Sequence, residues 1–332
     1  MFGKTSTREM ICSIFSKKYN ILKTEKNYNS NISLPYMLLK LENQDFGILE
    51  VGIDRIGEMD KLSMLLKPIV SVITLIGLSH IEYMKSKENI FKEKISITNH
   101  MKKNSLLLLN NGSEYLCDYT NDNFDIIKYS KNEASNIIYF NNKIKFNIDI
   151  YNNSHEVTLN VIGDHNILNA ICAIRIAEKF NIELEYIKLG LSSYNNFERR
   201  MQVINLDNDI VIIDDTYNSS YDSVKSGIET INKIKGDKIV VLGDILELGK
   251  YNEEVHSKIG KLFNDCSINK LYIFGKNSIY TYNEAKKYVD CVYFTDKEKL
   301  INSIKKELTN NKLIYFKASN SMKFNDIIKE II

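Results

Sequence analysis

Two α/β domains are what this sequence predicts: one built on a phosphate-binding loop, then a Rossmann-like domain around a parallel sheet. Three observations carry this expectation. Gly3-Lys4-Thr5-Ser6-Thr7 runs directly into a helical pattern. Through the second half, short β-branched or aromatic runs alternate with stretches of helical spacing. At 332 residues, the chain is long enough for two ordinary domains with separate cores.

In the second half the apolar runs are residues 210–213, 239–242, 271–274, 291–294 and 313–316. Helical spacing fills 223–234, 253–263, 284–289 and 297–308. Buried strands alternating with amphipathic helices argue a parallel sheet with right-handed crossovers, starting near residue 207. In the first half, 5–15 reads as a helix, 46–51 and 70–76 as buried strands, 86–99 as a polar-faced helix and 106–109 as an apolar strand. From 123 to 161 the period moves towards two, as in residues 143–150, which suggests antiparallel strands. Residues 166–180 return to a helix rich in Ala and Ile, and a polar linker at 192–198 separates the halves.

Composition excludes several classes of function. Hydrophobic residues make up 44%, and no stretch approaches the roughly 18 consecutive apolar residues of a membrane span. Lys and Arg (44) nearly balance Asp and Glu (42), so the net charge of +2 gives no case for nucleic acid or an anionic membrane as partner. The five cysteines are scattered and form no CxxC pair, which suits a reducing compartment. Nothing at the start resembles a signal peptide, so the expected location is the cytoplasm.

Gly3-Lys4-Thr5-Ser6-Thr7 reads as the end of a G-x-x-x-x-G-K-[ST] loop. Its Gly lets backbone N–H groups approach phosphates, its Lys reaches the β/γ oxygens, its hydroxyl serves Mg²⁺, and the helix start adds positive potential. Glu50 ends the first buried strand, and His80 follows the second. Strand ends beside a phosphate loop form the ligand crevice of an open α/β sheet. Each residue also has a plainer reading, Glu50 as a solvated strand end and His80 as a satisfied loop histidine. Asn166 and Asn169 open a helix where exposed amides suit an adenine edge, while Asp164 beside them can cap it. Asp214 and Asp215 follow the strand at 211–213, as a site pair or as loop solvation.

Further segments join these in a fixed order. They are residues 27–35, Leu49-Glu50-Val51-Gly52, His80-Ile81-Glu82, residues 165–170, Arg200-Met201-Gln202-Val203, Asp214-Asp215-Thr216-Tyr217-Asn218, and residues 242–249 (LGDILELG). Together with the phosphate loop they resemble the Mur ligase family over almost the whole chain. The last two segments are the most specific. They point to the branch that joins D-alanyl-D-alanine to a UDP-N-acetylmuramoyl-tripeptide, away from the folate and cyanophycin relatives.

The resemblance implies a P-loop-type central ATPase domain over residues 1–198, truncated at its start, and a Rossmann-like C-terminal domain over 199–332. A domain gripping the uridine nucleotide, the first strand of the central sheet and the first half of the loop would stand ahead of Met1. It implies ATP and Mg²⁺, an acyl-phosphate intermediate, and a monomer acting on small molecules. Gly3, Lys4, Thr5 and Ser6 would hold the nucleotide phosphates, and Thr5, Glu50 and His80 the metal. Lys4, His80 and Lys94 would be catalytic, Lys94 matching a lysine that becomes carbamylated; an ordinary solvated lysine, or Lys92 in that role, stays open. Asn166 and Asn169 would meet the adenine, with Arg200 and Asp215 contacting the nucleotide when the domains close. Asn27, Asn29 and Asn31, with Tyr217 and Asn218, would line the substrate channel. Leu75, Ser96 and Asn111-Gly112 depart from the family pattern. A related ligase with another carboxylate and amine, and an inactive fragment, are the alternatives.

Overall fold

The computed structural model describes residues 3–140 and 142–332; Met1 and Phe2, where the expected first domain opens, lie outside the described residues. The chain divides into two bodies, one of residues 3–77 and 83–195, the other of Leu78–Glu82 with Asn196–Ile332.

The first body begins with α1 (Lys4–Phe15), β1 (Ile21–Lys23), α2 (Ser33–Leu38), β2 (Phe46–Ile48), α3 (Glu58–Leu66) and β3 (Val70–Ile73). After the short α4 (Ile81–Met84) come α5 (Lys87–Ile95), β4 (Leu106–Asn110), β5 (Asp125–Tyr129), β6 (Ser135–Phe140), β7 (Lys143–Ile150) and β8 (Asn153–Leu159). It ends with α6 (Asp164–Lys179) and α7 (Leu184–Ser193). β1 and β2 pair in parallel, β3-β4-β5 form a second parallel set, and β6-β7-β8 an antiparallel one. The expected antiparallel region from 123 is thus corrected at its start. β5 joins β4 in parallel, with Leu106 opposite Asp125. Alternation reports that one face is buried, not which way the neighbouring strand runs.

α1 is buried because it packs against α6 and α7. Met10, Ile14 and Phe15 meet Ile167, Ile171 and Ile174 of α6, and Phe146, Ile148 and Leu159 close the same core. Each such side chain contributes about 1.5–3 kcal/mol by leaving water. α5 starts at Ser86, whose side chain accepts from Asn89 N. The buried Glu93 carboxylate accepts from Gly57 N at 2.8 Å and Met59 N at 2.7 Å, at the start of α3. That anion-to-helix-start contact anchors α5 and fixes the placement of Lys94 beside it.

The second body carries β9 (Gln202–Asn205), β10 (Val211–Asp214), α8 (Tyr221–Lys233), β11 (Asp237–Gly243), α9 (Asn252–Lys261), β12 (Lys270–Phe274) and α10 (Ile279–Ala285). β13 (Asp290–Phe294), α11 (Lys297–Glu307), β14 (Lys312–Lys317) and α12 (Phe324–Ile331) complete it. Its sheet runs β13-β12-β11-β14-β10-β9, parallel except for β9. The antiparallel β9 was not expected, since only Val203 and Ile204 give it an apolar signal. The helix expected at 284–289 lies earlier. Ser278 donates through its N–H (2.7 Å) and Oγ (2.6 Å) to Asp244 Oδ1, and so sets where α10 starts. No helix among the described residues is long and apolar enough to cross a membrane.

His256 is buried in α9, with Nε2 accepting from Ile245 N at 3.2 Å and Nδ1 facing Asn252 O at 2.9 Å. That pattern suits the neutral ring protonated on Nδ1. Burial depresses its pKa below the usual 6.5. The unfolded chain therefore binds the extra proton first, and stability falls as pH drops below about 6.5. Urea midpoints at pH 7.5 and 5.5 are expected to show this loss, and His256→Gln to flatten it.

Candidate functional site

Gly3 stands in the left-handed region, φ 79°, at the start of α1. A Cβ there would come within 3.0 Å of Asn169 Oδ1. The side chains after it turn towards the end of β2. Lys4 Nζ donates to Val51 O at 3.0 Å, and Thr5 Oγ1 donates to Glu50 Oε2 at 2.7 Å. Asn29 Nδ2 donates to the other carboxylate oxygen at 2.9 Å, and Glu50 N donates to Thr24 Oγ1 at 2.8 Å. Glu50 is 7% exposed, so the solvated-strand-end reading does not hold.

Behind this cluster lies a set of buried charges that sequence reasoning missed. Arg8, 5% exposed, reaches Glu50 Oε2 through Nη1 at 3.4 Å and pairs with Glu9; Lys23 meets Glu9 at 2.9 Å. A buried carboxylate needs such partners. Its only sequence signal was a cation one turn beyond the loop lysine.

Asn166 and Asn169 correct one expectation. Asn166 is fully buried and donates to Ile162 O at 2.7 Å, and Asn169 Oδ1 accepts from Thr7 Oγ1 at 3.0 Å. Asn169 ties α6 to the phosphate-loop helix, Asn166 holds the turn ahead of α6, and neither stands exposed. Asp164 does not cap α6 either; its carboxylate takes Lys131 and Tyr139. Ser6 is buried in α1. Lys94 Nζ donates to Leu75 O at 2.6 Å, just beyond β3, whereas Lys92 lies exposed against Glu88. Lys94 is thus the lysine directed at the strand ends. Asn27 is exposed, while Asn31 Oδ1 is buried with no hydrogen-bond partner among the described residues.

The second body places His80 in a loop at φ 62°, with Nδ1 2.8 Å from Glu247 Oε2. Beyond β10, Asp215 accepts from Lys317 Nζ at 2.6 Å, Tyr315 Oη at 3.0 Å and Met201 N at 3.3 Å. Burial lowers the Lys317 pKa, with Asp215 opposing that shift, and raises that of Tyr315. Burial also raises the pKa of Asp214, which accepts from Thr216 N and Oγ1. The Arg200 guanidinium lies 4.2 Å from the Tyr217 ring centre, and Asn218 Oδ1 accepts from Ser219 N at 2.8 Å. Lys317, closing an apolar strand 102 residues from Asp215, was not singled out by the sequence.

Gly227 of α8 fits under Tyr315: a Cβ would stand 2.0 Å from its hydroxyl oxygen. Ala normally favours a helix over Gly by about 1 kcal/mol. Here overpacking reverses the sign. Gly227→Ala is expected to cost about 1–3 kcal/mol in thermal unfolding, because Tyr315 must leave Asp215.

Residues 2–177 match a family model described as the Mur ligase middle domain, and residues 199–320 one described as the Mur ligase glutamate ligase domain. The UDP-N-acetylmuramoyl-tripeptide–D-alanyl-D-alanine ligase of Bacillus subtilis (strain 168) is 32% identical, covering 99% of this chain and 74% of that one. The enzyme of the same name from Buchnera aphidicola (subspecies Baizongia pistaciae) is 35% identical, over 99% and 73%. A MurF ligase from Thermotoga maritima, solved in complex with ADP, superposes with a TM-score of 0.91 at 21% identity, covering 100% of this chain and 77% of that one.

Proposed function

Because the chain belongs to the Mur ligase family, we propose that it joins D-alanyl-D-alanine to a UDP-N-acetylmuramoyl-tripeptide, driven by ATP. The Bacillus and Buchnera relatives are named for this activity. The geometric observation that carries the reading is the meeting of Thr5 and Glu50 at 2.7 Å, with Lys4 directed to the same strand end.

The γ-phosphate of ATP passes to the terminal carboxylate of the tripeptide. The amine of D-alanyl-D-alanine then attacks that acyl phosphate, and inorganic phosphate leaves as the amide forms. The protein's part in such transfers is positioning and charge stabilisation. Lys4 sets a cation against the phosphates, with Gly3, Thr5 and Ser6 at the helix start supplying backbone N–H groups. Arg200 and Asp215 are the proposed nucleotide contacts of the second body. Asn166 and Asn169 are the proposed adenine contacts, Asn169 bonded to Thr7 of α1 and Asn166 to Ile162 O ahead of α6. Asn27, Asn29, Asn31, Tyr217 and Asn218 are the proposed substrate contacts; the orphaned Asn31 Oδ1 supports that role for its segment.

Mg²⁺ takes hard oxygen ligands, with one or two carboxylates and substrate phosphates completing its shell. The Thr5 hydroxyl and Glu50 carboxylate fit that demand. Among the described residues no group of three or more His, Cys, Asp or Glu could by itself hold a metal. Bound there, Mg²⁺ would neutralise phosphate charge. His80 is a further proposed ligand, here paired with Glu247, and Lys94 a proposed catalytic group. We place the protein in the cytoplasm as a monomer acting on small molecules.

Phosphate release from Mg-ATP tests this reading, with the UDP-muramoyl-tripeptide and D-alanyl-D-alanine supplied singly and together. Release that needs both is expected. Release driven by a different carboxylate and amine would assign another ligase activity, and none from folded protein would contradict the proposal.

A further inference from the structure

In the second body Asp215 is tied to β14 twice. Its backbone N–H donates to Phe316 O at 3.0 Å, and its Oδ2 accepts from Lys317 Nζ at 2.6 Å, with Tyr315 Oη on the same oxygen at 3.0 Å. The Lys317 and Asp215 side chains are 4% and 13% exposed, so the pair meets almost without water, where a charge-assisted bond is short and directional. The other oxygen, Oδ1, carries only the longer bond from Met201 N, at 3.3 Å. The segment that receives this bond is strained. Arg199 (φ 63°) and Met201 (φ 50°) stand in the left-handed region on either side of Arg200, and neither is glycine. Such backbone persists where its neighbours enforce it. Here the neighbours are residues 215–217. Arg199 Nη2 donates to Thr216 O at 2.6 Å, Tyr217 N donates to Arg199 O at 3.0 Å, and Asp215 takes Met201 N. The guanidinium of Arg200 leaves this turn over the Tyr217 ring.

We propose that Lys317 is a positioning residue for nucleotide binding: from the end of β14 it orients the Asp215 carboxylate and, through Met201 N, the turn that presents Arg200. The inference rests on the reading of Arg200 and Asp215 as nucleotide contacts. Lys317 is buried beneath them and acts through Asp215 instead of meeting phosphate itself. Its bond fixes the direction of Oδ2, and a rigid carboxylate then fixes Oδ1, the oxygen left with room for a ligand donor. A neutral donor in its place would hold the same direction less firmly and leave a buried carboxylate charge uncompensated. A lysine that only neutralised Asp215 would differ in one respect: its loss would lower stability and leave the affinity of folded protein for nucleotide unchanged.

The probe is ADP with Mg²⁺, titrated by calorimetry into the full chain at a temperature where circular dichroism shows each variant folded. Lys317→Met keeps most of the aliphatic length and removes the ammonium. It is expected to weaken ADP binding about tenfold and to quicken amide exchange at Met201 about tenfold. Asp215→Asn alone should also weaken ADP binding. Adding Lys317→Met to it should cost no more than about twofold further, because the group through which the lysine acts is already changed. If Lys317→Met does not fold, Lys317→Gln keeps an N–H donor and is read the same way. Unchanged affinity or unchanged exchange at Met201 in the lysine variant, beside a loss in Asp215→Asn, overturns this inference and leaves the nucleotide reading standing. Equal losses on adding Lys317→Met with and without the Asp215 carboxylate overturn it too, because the lysine would then act independently. ADP affinity that Asp215→Asn leaves unchanged, or no binding by the unaltered chain, overturns the nucleotide reading and this inference with it.

Discussion

Lys4→Ala is expected to lower substrate-dependent phosphate release at least a thousandfold while leaving the melting temperature within a few degrees. The stability side follows from the contacts: Lys4 is half-buried, and its Nζ donates a hydrogen bond to the backbone carbonyl Val51 O. Losing one such bond costs about 1 kcal/mol. The catalytic side is larger because the ammonium is the cation placed where phosphate charge accumulates. A thousandfold corresponds to about 4 kcal/mol of transition-state stabilisation, within the range ascribed to single cations in phosphoryl transfer. Lys4→Arg keeps the charge but not the reach, and should recover only part of the loss. Full turnover in Lys4→Ala would remove the loop from the mechanism.

Glu50→Gln is expected to cut turnover about a hundredfold and to raise the Mg²⁺ concentration needed for half-maximal rate. The substitution keeps shape and one acceptor oxygen, so Thr5 retains a partner. It also removes the negative charge that Arg8 approaches and gives Asn29 Nδ2 a competing donor. Leaving a buried cation less compensated is costly, so unfolding must be measured beside activity. A merely structural role predicts lower stability with an unchanged Mg²⁺ requirement. The metal role predicts that the requirement moves in the protein that remains folded.

Local signals read the strands of the second half well, because a buried parallel strand is a continuous apolar run. They also read α1, where the loop residues and the helical period coincide. They failed where distant residues decide. Asp244 sets the start of α10 from across the sheet, and β9, at an edge, needs few apolar residues. For the site, chemistry-bearing residue types marked Lys4, Thr5 and Glu50, but nothing local showed that Asn166 would be buried. Nor could spacing pair Asp215 with Lys317, since two strand ends meet only once β10 and β14 are neighbours. Arg8 was overlooked for the same reason: a charged helix residue reads as solvated until the opposing carboxylates of Glu9 and Glu50 are seen around it.

The most direct test of the central claim is mass spectrometry of the nucleotide product after incubation with Mg-ATP, UDP-N-acetylmuramoyl-tripeptide and D-alanyl-D-alanine. The account predicts the UDP-muramoyl-pentapeptide, with one ADP and one phosphate formed for each amide bond. ATP hydrolysis with the tripeptide nucleotide unchanged, or incorporation of a different amine in preference, would contradict it.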